Sequence, residues 1–419
     1  MKVFKFGGAS VKDAAGVRNV ANVLKHFPND DLLIVVSAMG KTTNALEEVV
    51  WDFLAARDAT TRVDVLFQAH LAVLSEVAPG DSSAASELYW VKEELLSVLK
   101  VERRARHSDF FYDQIVSAGE LWSSSVVRAH LRAVGMNSDW LDAREVVRTD
   151  ERYRAARVDW PACEANAVTG LRPLLNGSGV RIVTQGFIGF TPEGGTTTLG
   201  REGSDFSAAI FAYLLDAESV TIWKDVPGMF NADPKRFPDT KLLSHISYKE
   251  AIELSYFGAS VIHPRTLQPL QRKNIPLYVR SFVDLAAPGS TIDERSENDS
   301  LIPSFIIKPG QVLLSITPRD LSFIVEENLS GIFGVFAQHG VCINLMQNSA
   351  VAFTVCVDND NRIKPLVLDL RRDYEVRWNE ELELVTVRHY DETTLAKLLQ
   401  GREVLIEQRS RTTARFVVK

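Results

Sequence analysis

The sequence predicts an α/β protein: a three-layer αβα domain with a largely parallel sheet, followed by a smaller α+β region. Three observations carry this. Leu32–Ser37 (LLIVVS) is a near-continuous apolar run, as expected of a strand covered on both faces of a parallel sheet. Apolar stretches at Val3–Phe6, Val180–Phe190 and Ser219–Trp223 also read as strands, and each runs into a glycine- or proline-marked turn. Beyond about residue 300 the rhythm changes to short strands and helices in the order βαββαβ.

Composition narrows the function. A chain of 419 residues is expected to hold two or three domains. Its 46% hydrophobic and 24% charged content is that of a globular protein, and a net charge of −7 argues against a nucleic-acid partner. Three cysteines without paired spacing (Cys163, Cys342, Cys356) fit a reducing compartment and offer no zinc site; no metal-ligating set is expected. The opening MKVFKFGG is a strand pattern without the apolar core of a signal peptide, and no apolar run reaches the ~18 residues of a membrane helix. The expectation is a cytoplasmic protein with no membrane partner.

In chain order, Val3–Phe6 leads into Gly7-Gly8 and a helix from about Asp13 to Phe27. Lys5 at the strand's end, with two glycines after it, is either a phosphate cradle or a plain structural turn. The Gly-Lys-Thr at 40–42 imitates a P-loop, but Val35 stands where that motif needs its first glycine, so the motif is rejected. Thr43 remains a hydroxyl donor at a strand exit. Residues 44–135 read as helical, with Leu46, Val49, Val50, Phe53 and Leu54 on one stripe. Asp109–Val134 is one long helix or two joined ones. Within it Glu120, beside Gly119 and near Trp122, is either a solvated acid or a carboxylate aimed at an amine.

The stretch Thr196–Ala209 (TTTLGREGSDFSAA) predicts a strand at Thr197–Leu199, a turn freed by Gly200 and Gly203, and a helix Phe206–Leu215 capped by Ser204 or Asp205. A helix N-terminus after a glycine turn accepts anions. Arg201 adds a fork for a carboxylate or phosphate, and Asp205 a group able to orient a cation; the alternative is a capped helix with a surface salt bridge. The loop Lys224–Lys235, after the strand Ser219–Trp223, lies where open α/β sheets bind ligands. Lys224 and Lys235 there are suited to phosphates and Phe230 to a base, or else the loop is a mobile one with solvated lysines. Ser247–Phe257 reads as a helix, His263 as a packed or capping histidine before the helix Arg265–Arg272, and Ile275–Phe282 as a strand. Pro288–Thr291 and Asp293–Asp299 read as a linker. In the tail the first unit runs from a strand at Val312–Thr317 to a short strand at Tyr374–Trp378. A shorter copy follows, with a strand at Leu382–Tyr390, a helix at Thr393–Leu399 and strands at Glu403–Gln408 and Ala414–Val418.

KFGGAS at 5–10, VSAMGKTTN at 36–44, SAGELWSS at 117–124, TTLGREGSDFSAA at 197–209, IWKDVPGMFNADPK at 222–235 and FGASVIHPRTLQP at 257–269 occur in one order. Together they resemble the aspartate kinases of the amino-acid kinase family, and the tail resembles the paired ACT domains of those enzymes, the second one shortened. The resemblance covers nearly the whole chain. It implies an amino-acid kinase domain over 1–300, a first ACT domain over 301–380 and a shortened ACT-like domain over 381–419. It also implies phosphoryl transfer from MgATP to the side-chain carboxylate of L-aspartate. Lys5 and Asp205 would then be catalytic, with Gly7 and Gly8 holding the phosphate. Thr43, Glu120, Arg201 and Ser204 would hold the amino acid. Lys224, Asp225, Phe230, Lys235 and Ser260 would serve ATP. A homodimer, and an amino-acid effector at the tail, are likewise implied.

Several residues depart from the family pattern. Ala9 replaces a threonine, Glu202 a glycine, Ser260 a lysine and Lys224 a threonine. In lysine-inhibited relatives acids meet the effector's ammonium around the second strand of the first ACT unit. Asn344 and Ala350 stand at those positions here, which implies weak effector binding by a tail that chiefly mediates dimerisation. The rival readings are a glutamate or acetylglutamate kinase and a non-catalytic amino-acid sensor.

Overall fold

The computed structural model describes residues 1–175, 179–259, 262–320 and 322–419. The chain divides into two compact units. One comprises 1–229, 242–252 and 261–296, and the other 230–241, 253–260 and 297–419.

The first unit contains β1 (Lys2–Phe6), β2 (Leu32–Val36), β3 (Asp139–Leu141), β4 (Arg181–Gln185), a hairpin of β5 (Ile188–Phe190) and β6 (Thr196–Thr198), then β7 (Ser219–Lys224), β8 (His245–Ser247), β9 (Leu277–Ser281) and β10 (Ser290–Asp293). Among the described residues eight of these form one sheet in the order β3-β4-β2-β1-β7-β9-β10-β8. Every pairing is parallel except that of β9 with β10. Each residue of β2 is 0% exposed, so both faces of the sheet centre are covered, as its unbroken apolar run predicts. The helices Ala14–Leu24 and Ala118–Ala133 pack together, the second against β2, β3 and β4. The helix Gly203–Leu215 packs against β1, β2 and β7, with Pro264–Arg272 on it.

Local departures from the sequence reading have physical causes. The stretch read as a linker contains β10, whose Ile292 is buried through pairing with β9 and β8. Asp109–Val134 is two helices, Ser108–Val116 and Ala118–Ala133. The helix expected to begin at Phe206 begins at Gly203. Glu202 is its cap residue, at a left-handed φ of 55° and without a side-chain capping bond, so Ser204 and Asp205 lie in the first turn. His263 caps the helix Pro264–Arg272, its Nδ1 accepting from the Arg265 N–H at 3.2 Å, one of the two roles expected of it.

The second unit is organised on an antiparallel sheet of β11 (Ser304–Pro318), β12 (Ile343–Asn348), β13 (Phe353–Asp358), β14 (Tyr374–Arg388), β15 (Val404–Arg409) and β16 (Thr413–Val418), in the order β12-β13-β11-β14-β16-β15. The two strands read at Tyr374–Trp378 and Leu382–Tyr390 are one strand, β14, and the strand read from Val312 begins at Ser304. The reason is pairing: β11 and β14 run together from Ser304↔Arg388 to Pro318↔Tyr374, with register shifts between Lys308 and Leu313. Val312, Leu314, Ile332, Phe336 and Val355 belong to one core, with the helices Glu326–Gln338 and Ile363–Leu370. Phe305 and Ile307 instead pack with Val385, Val387, Leu395 and Phe416. The start of β11 thus takes the strand position beside β14 that the shortened second copy cannot supply from its own sequence.

Candidate active site

The carboxyl ends of β1, β2, β4 and β7 lie side by side, which is where open parallel sheets place their ligands. A cavity of about 570 Å³ opens there, within the size range of small-molecule sites.

Lys5 reaches it from β1. Its Nζ lies 2.6 Å from Asp205 Oδ1, and both side chains are nearly buried. Gly8 follows, and the exit of β2 presses so close that a Cβ at Gly8 would lie 2.8 Å from the Ala38 carbonyl oxygen. The Gly40 N–H donates to the Gly8 carbonyl at 3.0 Å, fastening the two turns together. Gly8 is needed here for contact rather than for its dihedrals.

Glu120 enters from the first turn of the helix Ala118–Ala133. A Cβ at Gly119 would lie 2.9 Å from the Ala38 side chain, so that glycine lets the helix approach β2. Ser123 Oγ donates to the Ser37 carbonyl at 2.7 Å and pins it there. Glu120 is 2% exposed. Its Oε1 accepts from the Ala38 N–H at 3.2 Å, while its Oε2 is buried without a hydrogen-bond partner. Burial pushes its carboxyl up to about 8, against the smaller opposing pull of the Ala38 N–H and the Lys5 charge. The solvated reading of this acid is therefore excluded, and a buried acid with an unpartnered oxygen in the lining of a cavity suits a cationic group.

Thr43 reaches the cavity from the helix Thr42–Leu54, and Arg201, Glu202, Gly203, Ser204 and Asp205 line it from the helix start at Gly203. Arg201 is exposed. Glu202 is half-buried, and its Oε2 is buried without a hydrogen-bond partner. The Ser207 hydroxyl accepts from the Phe187 N–H at 2.8 Å and donates to the Gly203 carbonyl, tying this helix to the end of β4.

Of the residues singled out from sequence, Lys5, Gly8, Thr43, Glu120, Arg201, Ser204, Asp205 and Lys224 line the one cavity, and Gly7 adjoins Lys5. Asp225 is exposed and outside its lining. Phe230, half-buried, and Lys235, exposed, belong to the second unit. Ser260 lies outside the described residues.

Tyr112, Arg154 and Phe187 also line the cavity and carry no sequence signal. The Arg154 guanidinium lies 4.1 Å from the Tyr112 ring centroid, and Tyr112 Oη donates to Glu47 at 2.6 Å. Asp113 holds this wall together. It is 0% exposed and accepts from the N–H groups of Arg154 and Thr198 and from the Thr198 hydroxyl, the last at 2.8 Å. Burial raises its carboxyl to about 7, against those opposing bonds.

Comparison with known proteins identifies the family. The model of the amino acid kinase family matches residues 1–281. Lysine-sensitive aspartokinase 3 of Escherichia coli (strain K12) is 33% identical over 357 residues, a match covering 85% of this chain and 78% of that protein. The chloroplastic bifunctional aspartokinase/homoserine dehydrogenase 2 of Arabidopsis thaliana is 33% identical over 364 residues, 84% of this chain. The chain spans 39% of the length of that bifunctional relative. The solved structure of E. coli aspartokinase III in complex with aspartate and ADP superposes with a TM-score of 0.82 at 29% identity, covering 100% of this chain and 96% of that one. The chain belongs to the amino acid kinase family, on its aspartokinase branch.

Proposed function

We propose that the protein is an aspartate kinase, transferring the γ-phosphoryl group of MgATP to the side-chain carboxylate of L-aspartate to give 4-phospho-L-aspartate. The product is a mixed anhydride at the entry to the biosynthesis of lysine, threonine and methionine. The observation that carries this reading is the buried, unpartnered Oε2 of Glu120 in the same cavity as Arg201 and the Lys5–Asp205 pair. An α-amino acid offers an ammonium for Glu120 and an α-carboxylate for the Arg201 fork. With both ends held, the side-chain carboxylate is left to meet the phosphoryl group, oriented by the hydroxyls of Thr43 and Ser204.

Donor and acceptor are both anions, so catalysis here is positioning and charge neutralisation. Lys5 supplies a fixed positive charge for the transferring phosphoryl group, and Asp205 holds the Lys5 ammonium in place. The Gly7-Gly8 turn admits the phosphate oxygens without a side chain in the way. Lys224 serves the nucleotide from the end of β7, with Asp225, Phe230, Lys235 and Ser260 assigned to it by resemblance. Among the described residues no group of three or more His, Cys, Asp or Glu side chains is placed to hold a metal ion. A Mg²⁺ arriving with ATP would be held chiefly by the phosphates, with Asp205 orienting the metal-bound phosphates by resemblance. Bound in this way, Mg²⁺ neutralises charge on the triphosphate.

Hydroxylamine trapping of ATP-dependent acyl phosphate, with L-aspartate, L-glutamate and N-acetyl-L-glutamate compared, tests the assignment. Hydroxamate from aspartate alone is expected. Product from N-acetyl-L-glutamate, which has no ammonium for Glu120, would overturn it, and ATP binding without product from any of the three would favour the sensor.

The dimer, the cytoplasmic location and an amino-acid effector at the tail belong to the same proposal. The last draws support from the similar E. coli structure that is a complex with lysine and aspartate. In this chain Asn344 is already engaged. Its Oδ1 accepts from Lys308 Nζ at 2.9 Å, and its Nδ2 donates to Gln311 and Asp358 at 2.8 and 3.0 Å. Lysine binding through Asn344 would have to break that network, so weak binding is expected by calorimetry.

A further inference from the structure

The turn that carries Arg201 and Asp205 borders a second cavity of the first unit, of about 180 Å³. Arg157, Arg265, Arg272, Trp160, Phe206 and Gln268 line it. Arg157 and Arg272 are exposed, and neither side chain forms an ion pair among the described residues. The half-buried Arg265 donates from Nη1 to the Leu199 carbonyl at 3.1 Å, and its guanidinium lies 6.0 Å from the Phe206 ring centroid. Trp160 is braced edge-on against Tyr213 at 4.9 Å.

In a chain with 54 acidic residues against 47 basic ones, three guanidiniums gathered at one cavity without a carboxylate in its lining need an explanation. The nearest acid in sequence, Asp159, caps the helix Trp160–Asn166 by accepting from the Ala162 N–H, and does not line the cavity. Like charges held together raise the energy of the empty site, and a multiply charged anion relieves it. A phosphate monoester carries a charge between −1.5 and −2 at neutral pH and offers oxygens that match the guanidinium fork. Trp160 and Phe206 add two aromatic surfaces on which a planar ring can rest.

We propose that this cavity is a second ligand site, separate from the catalytic one, for a phosphate monoester that bears an aromatic or heteroaromatic ring. The phosphate bridges Arg157, Arg265 and Arg272, and the ring lies against Trp160 and Phe206. Its walls are tied to the catalytic turn at two points: the Ala156 N–H donates to the Thr198 carbonyl at 3.0 Å, and Arg265 donates to that of Leu199. Drawing Arg265 toward a phosphate loosens its hold on Leu199, two residues before Arg201. Occupancy is therefore coupled to amino-acid binding; this second half rests on the proposed kinase function, whereas the site itself does not.

The test uses phenyl phosphate and inorganic phosphate as probes, titrated calorimetrically into the full chain with and without saturating ADP. One saturable phenyl phosphate site is expected, unmoved by ADP, with inorganic phosphate at least ~10-fold weaker for want of a ring. Arg157→Gln and Arg272→Gln should each weaken phenyl phosphate ~10-fold or more, while circular-dichroism melts show both variants folded. Absence of saturable binding, displacement by ADP, equal affinity for inorganic phosphate, or unchanged affinity in both folded variants would each overturn the site. A KM for aspartate that does not move at saturating phenyl phosphate overturns the coupling and leaves the binding result standing.

Discussion

Glu120 shows how far a residue's surroundings can reverse what its type suggests. A glutamate in a helix is usually solvated, yet this one is buried and its carboxyl titrates near 8 instead of 4.5. The folded protein therefore keeps a proton that the unfolded chain has already lost, and ligand-free stability should fall as pH rises from about 4.5 to about 8. Asp113, raised to about 7, acts in the same direction. Urea unfolding of Glu120→Gln should show a flatter profile, most clearly above pH 7, where Asp113 no longer contributes. An arriving ammonium favours the carboxylate, so aspartate binding near pH 7 should release up to one proton. Calorimetry in buffers of differing ionisation enthalpy reads that number, and Glu120→Gln should abolish it. Lys5→Ala and Asp205→Ala should each lower kcat by ~10²-fold or more while circular dichroism shows the fold intact, since each removes fixed charge from the reacting centre. Which residues meet in the cavity was legible in sequence where a motif named them. Tyr112 and Arg154, and Asp113 behind them, were not, because they are assembled by tertiary packing across residues 112–198, which no spacing rule records.

At the scale of elements, apolar runs and glycine turns located β1, β2, β4 and β7 well, because central parallel strands are covered on both faces and so carry apolar residues through most of their middle. Edge elements were harder. β8 and β10 are short strands whose pairing, not their composition, makes them strands. The long strand β11 was read only from Val312 and β14 was read as two strands; Pro309-Gly310 and the polar Asn379–Glu381 interrupt the pattern, and the mutual pairing of β11 and β14 carries the backbone past them. The helix start at Gly203 was displaced for a different reason: Glu202 occupies a left-handed conformation that favours glycine. Its strain costs roughly 1–2 kcal/mol, offset in part by the greater freedom of an unfolded glycine. Glu202→Gly should accordingly raise stability by up to about 1 kcal/mol in urea melts. Phe416, fully buried in the core that Phe305 and Ile307 help to form, should cost about 3–5 kcal/mol when changed to alanine.

For the whole molecule, the two-part character and the change of rhythm near residue 300 were visible in the order of strands and helices. The interleaving of the two units was not, since nothing in residues 230–241 or 253–260 marks them as belonging with the tail. They belong there by contact. Phe237 stacks on Phe305 at 5.6 Å, Asn231 donates to the Pro303 carbonyl at 2.8 Å, and Arg388 Nη1 lies 3.2 Å from Glu253. For protein engineering, this means the tail is not a cassette that one cut near residue 300 can lift out or exchange. A transplanted regulatory region would arrive without the counterparts of two inner segments, and the recipient would retain ones shaped for another tail. A chimaera that keeps these packing contacts has to exchange three stretches of sequence together.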